Sequence, residues 1–224
     1  MQAEVYRKFE KDATPHTNNT PKKPKIGDHV LTMIGLILET STEKGCIALV
    51  KGPQILAATH IAGGPALSHQ LASSVETLLK KTHSPLQFVA AGTGPGSYTG
   101  IRVGAALAKA LSFGKKIPLL GFCNLLSFQI PNDPHSAVLF DARSGGFYYL
   151  KDAHSKACLI SLTESEEILS PHLKIASPHP ELIIKRLPFL EGKLIETSPN
   201  FSYLATSFFK SAQEASQTLF SLQY

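Results

Sequence analysis

The sequence contains only three cysteines, Cys46, Cys123 and Cys158, far apart and without a CxxC pair. That excludes a disulfide framework and a thiolate zinc site, and sets the expectation of a reducing, cytoplasmic compartment. No unbroken stretch reaches the roughly 18 apolar residues that a membrane-crossing helix needs, and the first residues lack the apolar run and small-residue cleavage site of an export signal. No membrane association and no export are therefore expected. Histidines at ligand spacing are also missing. His60, His69 and His83 stand nine and fourteen residues apart, and His135, His154, His172 and His179 form no HxxH, HxxxH or HExxH pattern. This spacing gives no metal site on a helix or turn. His69, at the start of the first expected helix, is the histidine best placed to touch a ligand. Large excess charge is absent too: 22 Lys+Arg against 17 Asp+Glu leave a net +5, which permits an acidic partner such as RNA without requiring one.

The 224 residues are 43% hydrophobic and 17% charged, with mean hydropathy +0.02, enough apolar material for a packed core in one large domain or two lobes. Residues 1–32 differ from the rest: polar, rich in Pro, Asn, Thr and Lys between Pro15 and Lys25, and too poor in apolar side chains to offset their ordering entropy. They read as a disordered extension. Lys22, Lys23 and Lys25 are its phosphate-contact candidates, and Met33, directly before the first apolar run, is the expected biological start.

From Met33 the pattern predicts a buried strand to Glu39, a turn at 40–45, a second strand Cys46 to Val50, and a third from Gln54 to Ile61, forming an antiparallel meander. Leu67, Leu71, Val75, Leu78 and Leu79 place one apolar stripe on a helix from about Pro65 to Lys81. A short strand at 88–91, a glycine-rich loop and a helix from Tyr98 to Phe113 complete a βββαβα order. Further elements are expected at 118–121, 124–129 and 137–141. A first lobe of residues 33–141 is followed by a smaller α/β lobe of 142–224, with a last helix from about Tyr203 to Leu219. No repeat of fixed period is visible.

The stretch Gly92-Thr-Gly-Pro-Gly-Ser-Tyr-Thr-Gly100 runs from a strand into a helix. It either gathers backbone N–H groups on an anion or simply makes a tight turn. It lacks the GK[ST] ending of a phosphate loop, misses GxGxxG by one position, and has Pro95 where a GxSxG elbow needs glycine. In the helix that follows, Gly100, Gly104 and Ala108 recur every four residues and leave one bare face. An interior glycine costs about 1 kcal/mol against alanine, so Gly104 implies close approach by something: the protein's own sheet, or another chain's helix. Glu39 and Asp141 both end strands and could meet at one mouth of a sheet, although Asp141-Ala-Arg143 reads more simply as a turn whose Asp accepts backbone N–H groups while pairing with Arg143.

Two stretches carry a family resemblance. MIGLILETSTEKGCIAL, Met33 to Leu49, resembles the opening strand pair and turn of the TsaB (YeaZ) family, and GPGSYTGIRVG, Gly94 to Gly104, is similar to its most distinctive segment. Ser68-His69-Gln70-Leu71, Pro118-Leu119-Leu120-Gly121 and Asp141-Ala-Arg143 with Tyr148 extend the likeness to about Leu150. The resemblance implies an actin-like/sugar-kinase-like ATPase fold with ribonuclease H-like lobes and a degenerate second lobe. It further implies a non-catalytic scaffold in tRNA threonylcarbamoyladenosine formation, partnered by a TsaD-like catalytic subunit and a TsaE-like ATPase. A homodimer when alone and indirect contact with tRNA are also implied. No cofactor of its own is expected, ATP and a metal ion belonging to the partner. The family's dimerising face maps onto Leu71, Val75, Leu78, Ile101, Gly104, Ala105 and Ala108. Glu39, Gly94, Gly96, Ser97 and Asp141 are the cofactor-binding candidates. Two departures weaken that role: Glu39 stands where the family has Asp, and Gly146 where an acidic residue is expected.

Two other readings remain: a free-standing ATPase or small-molecule kinase of the same fold, and a peptidase, which has no recognisable nucleophile and base here. On the scaffold reading, Gly104→Leu separates two protein chains and leaves this one folded, an expectation checked by co-purification.

Overall fold

A computed structural model describes residues 33–62, 66–133, 135–143 and 145–208. The 1–32 extension and the part of the expected last helix beyond 208 lie outside them. The chain runs β1 (Ile34–Glu39), β2 (Lys44–Lys51), β3 (Gln54–Ala62), α1 (Leu67–Leu79), β4 (Phe88–Gly92), α2 (Tyr98–Lys115) and β5 (Leu119–Phe122). Then come a 3-10 turn (Asn124–Phe128), β6 (Ala137–Asp141), β7 (Gly146–Leu150), β8 (Cys158–Ser161), α3 (Ser165–Leu169), β9 (Ile175–Ser177), α4 (Pro180–Ile184), a second 3-10 turn (Pro188–Leu190) and β10 (Leu194–Glu196). Residues 201–208 are helical.

The first sheet has the order β3-β2-β1-β4-β5, with β1 antiparallel to β2 and parallel to β4. The expected meander and βββαβα order are both present. β1 reads as an unbroken apolar run because both of its faces are covered. On one side Leu36 and Leu38 pack with Leu71, Val75 and Leu78 of α1 and Ala108 of α2. On the other, Ile37 packs with Ala48, Phe88 and the side chains Phe201, Leu204 and Phe208.

The second sheet has the order β10-β9-β6-β7-β8. It repeats the first: strand for strand, β6, β7, β8, β9 and β10 occupy the places of β1 to β5, and the connecting helices α3 and α4 those of α1 and α2. The repeat is topological, without a sequence period, because the second set of elements is much shorter. Two boundaries differ from expectation. β6, assigned above to the first lobe, pairs with β7 and β9 and so belongs to the second sheet. Helix 201–208, assigned to the second lobe, completes the core of the first.

Between the sheets lies the turn Asn124–Phe128. A 3-10 helix has three residues per turn, so residues three apart share a face. Leu125 and Phe128 join Val138, Phe140, Leu150 and Ala176 of the second lobe. Asn124 and Ser127 point to the first, where both reach Glu39. At the surface, Lys44 pairs with Glu196, and Arg143 lies 3.7 Å from Glu43. Such exposed pairs contribute little beside the apolar junction.

Leu204 is 1% exposed and packs against the first sheet. Leu204→Ala is therefore expected to cost about 2–5 kcal/mol, measured by urea denaturation of the whole chain.

Candidate functional site

The site is built where the turn after β1 meets the glycine-rich loop. β1 ends in Glu39, which is fully buried. Ser41 donates to its Oε1 twice, from the backbone N–H at 2.7 Å and the hydroxyl at 2.6 Å. At Oε2, Asn124 Nδ2 donates at 2.6 Å and Ser127 Oγ lies 3.1 Å away. Burial pushes the Glu39 pKa above the ordinary carboxylate value, against the opposing hydrogen bonds of Ser41, Asn124 and Ser127.

The loop is attached to this cluster at several points. Asn124 Oδ1 accepts the Gly94 N–H, and the Asn124 N–H donates to the Gly94 carbonyl at 2.9 Å. The Ser97 N–H donates to the Ser41 carbonyl at 2.7 Å. Ser97 then caps α2, its Oγ accepting from the Gly100 N–H at 3.3 Å. Gly94 and Gly96 have φ of 118° and 149°, and a Cβ on Gly96 would stand 2.6 Å from Ser41 Cβ. These glycines thus allow a turn and a close approach to the protein's own backbone.

That arrangement revises the cofactor candidates. The Gly94 and Ser97 amides already have internal acceptors, the Ser97 hydroxyl is a helix cap, and the space over Gly96 is filled by Ser41. Glu39 does not face an open mouth. Asp141, at the matching end of β6, accepts the Arg143 N–H at 2.9 Å, as the turn reading expects. Its ion-pair partner, however, is Arg186, which also stacks over Phe147 at 4.5 Å, and not Arg143. Glu39 and Asp141 close equivalent strands of two sheets and are held by different partners, so they do not form a joint site. Gly146 is explained locally: a Cβ there would lie 2.4 Å from the Ile160 carbonyl of β8. Among the described residues no three His, Cys, Asp or Glu come together to hold a metal ion, and His69 is exposed.

The interface candidates divide in the same way. Leu71, Val75 and Leu78 are 1–3% exposed and form core with the sheet; Ala108 is fully buried there. Gly104 does mark a close approach, but by Thr40: an added Cβ would meet Thr40 Oγ1 at 2.3 Å. At Gly100 the added Cβ would be 2.0 Å from the Thr40 carbonyl oxygen, and the Thr40 hydroxyl donates to the Gly100 carbonyl at 2.9 Å. The bare flank of α2 is therefore covered by this molecule's own β1–β2 turn. Ile101 and Ala105 remain half-buried at its rim.

The outward face of α2 carries different residues. Tyr98 is 74% exposed and Phe113 88% exposed. Between them lie Arg102, Ala106 and Lys109, all exposed, and the helix has no acidic residue. Arg102 donates to the Tyr98 hydroxyl at 3.1 Å and stacks over its ring at 5.1 Å. Tyr98, Thr99, Arg102, Val103 and Ala106 line a shallow hollow of about 370 Å³.

A family model described as TsaD, tRNA N6-adenosine threonylcarbamoyltransferase, matches residues 62–212, more than half of the chain. The tRNA threonylcarbamoyladenosine biosynthesis protein TsaB of Haemophilus influenzae is 31% identical over 132 residues, 54% of each chain, and that of Escherichia coli 26% identical over 112 residues, 48% of this chain and 45% of its own. The chain belongs to the family of that model, the TsaD type, and is similar to proteins named TsaB. It spans about half the length of the curated TsaB relatives that it matches. YeaZ from Pseudomonas aeruginosa superimposes with a TM-score of 0.58 at 19% identity, covering 81% of this chain and 93% of that one, and so shares its fold.

Sequence reasoning missed Thr40, Asn124 and Ser127 as members of the turn cluster. A usable signal was present in Asn124 and Ser127, two polar residues three apart inside the apolar run 122–128. For Thr40 there was none.

Gly104→Ala is expected to cost about 2–4 kcal/mol, and Gly104→Leu to prevent stable folding rather than merely to separate two chains. Thr40→Ala removes both Thr40 side-chain atoms beyond Cβ and should reduce the cost of Gly104→Ala. It should not relieve Gly100→Ala, which meets a backbone oxygen. Chemical denaturation of the single and double variants measures this coupling.

Proposed function

We propose that this chain acts in tRNA threonylcarbamoyladenosine biosynthesis as a non-catalytic subunit that docks a TsaD-like catalytic partner. The names of the H. influenzae and E. coli relatives support the pathway. One observation carries the non-catalytic role: the loop and carboxylate that a nucleotide would engage are bonded to each other through Ser41, Asn124 and Ser127. On this reading ATP and its metal ion are held by the partner, a TsaE-like ATPase completes the machinery, and contact with tRNA is indirect. A cytoplasmic location goes with that role. The chain pairs with itself when the partner is absent.

The docking surface is the outer face of α2, with Ile101 and Ala105 at its edge. Tyr and Arg are over-represented among residues that dominate binding energy, and Ala106 lets a facing helix approach. A helix with cations and no acid favours an acidic counterpart. Internal attachment of the loop also counts against the stand-alone ATPase.

Arg102 and Phe113 are exposed, so Arg102→Glu with Phe113→Asp should change stability by less than about 0.5 kcal/mol. Affinity for the TsaD-like partner should fall at least tenfold, measured by calorimetry with the purified subunit, with a parallel loss of tRNA modification in a reconstituted reaction. Undiminished binding would overturn this surface.

A further inference from the structure

The side chain of Glu39 is fully buried, and one of the groups at its Oε2, the Ser127 hydroxyl, has two oxygens within reach. A serine hydroxyl has a single proton to donate. Ser127 Oγ lies 2.7 Å from the Asn124 carbonyl and 3.1 Å from Glu39 Oε2. Neither a carbonyl nor a carboxylate has a proton to give, and the shorter contact, to the carbonyl, is the better placed for the hydroxyl proton. Ser127 Oγ then faces Oε2 with a lone pair, and two oxygens at 3.1 Å without a proton between them would repel in a site closed to water.

The amide of Asn124 does not resolve the shortage. Its Oδ1 is fixed toward the Gly94 N–H, which can only donate, so Nδ2 is fixed toward Oε2. Ser41 supplies both of its donors to Oε1. A neutral acid satisfies every atom: Oε1 is the carbonyl oxygen accepting from Ser41, and Oε2 accepts from Asn124 while its own hydrogen goes to Ser127, which passes one on to the Asn124 carbonyl. Among the described residues no Lys or Arg acts on Glu39, and the Cys123 thiol, which burial pushes up, is electrostatically coupled to it.

We propose that Glu39 is a neutral carboxylic acid that bolts the β1–β2 turn to the glycine-rich loop through Asn124 and Ser127, and that loss of its proton releases the bolt. The proposal stands independently of the subunit role. Ionisation would leave an uncompensated charge in the interior and turn the Ser127 contact repulsive, so the loop amides at Gly94 and Ser97 lose their fixed acceptors. The direction follows from linkage. A folded-state pKa above the ordinary 4.5 means that the stabilising contribution is complete below 4.5 and is lost as pH rises through the folded value.

The test uses the full chain with carboxyl-labelled glutamate, followed by infrared difference spectroscopy across pH. A protonated carboxyl band at neutral pH, absent from Glu39→Gln, is expected. Hydrogen-exchange protection at Gly94 and Ser97 should fall as that band disappears on raising pH. Ser127→Ala decides the direction of the hydrogen bond. If Glu39 donates to Ser127, removing the acceptor shifts the disappearance of the band to lower pH. If Ser127 donates to a carboxylate, the shift goes to higher pH and the proposal fails. A spectrum with only carboxylate bands at neutral pH, or loop protection that ignores the Glu39 titration, would also overturn it. Because Ser127→Ala leaves the carboxyl in place, the test survives even if Glu39→Gln does not fold.

Discussion

The cluster around Glu39 is the constraint on which the rest of the architecture depends. It joins three segments distant in sequence: the end of β1, the loop entering α2, and the 3-10 turn that leads to the second lobe. Once Glu39 is enclosed, Ser41 must turn back on it, Thr40 is pressed against α2, and residues 100 and 104 of that helix have no room for a side chain. The distinctive Gly-Pro-Gly-Ser segment and the glycines of α2 are thus consequences of one interior carboxyl. A buried polar network of this kind is costly when incomplete and strongly position-determining when complete.

Much of the first lobe was legible in the sequence because its signals are local and long. A six-residue apolar strand, a hairpin with a polar turn and a thirteen-residue helix with a single stripe leave little choice of element. The second lobe resisted the same reading. Its strands and helices are three to five residues long, too short for a period to assert itself, and its kinship to the first lobe lies in pairing order alone. The site was legible by location and misjudged in meaning. Gly104 correctly announces that something comes close, but glycine carries no information about whose atoms those are, and Thr40 has no feature that singles it out. Leu71, Val75 and Leu78 show the same limit: an apolar stripe marks a buried face, and the sheet of the same molecule is the first surface available to bury it.

The repeated strand order places Glu39 and Asp141 at equivalent positions, each accepting the backbone N–H two residues on. The two copies then diverge. In one the carboxyl is sealed among hydroxyls and an amide; in the other it is matched by the guanidinium of Arg186 stacked on Phe147. Each solution meets the same demand, partners for a strand-end acid, fully buried in one case and partly buried in the other.

Helix 201–208 adds a consequence for biogenesis. The face of the first sheet carrying Ile37, Ala48 and Phe88 is closed by side chains that lie after the whole second lobe in the chain. During translation that face therefore stays uncovered while more than a hundred further residues are made. A nascent chain in this state presents a wide apolar surface beside an unfinished lobe, the circumstance in which molecular chaperones are engaged and in which truncated products aggregate.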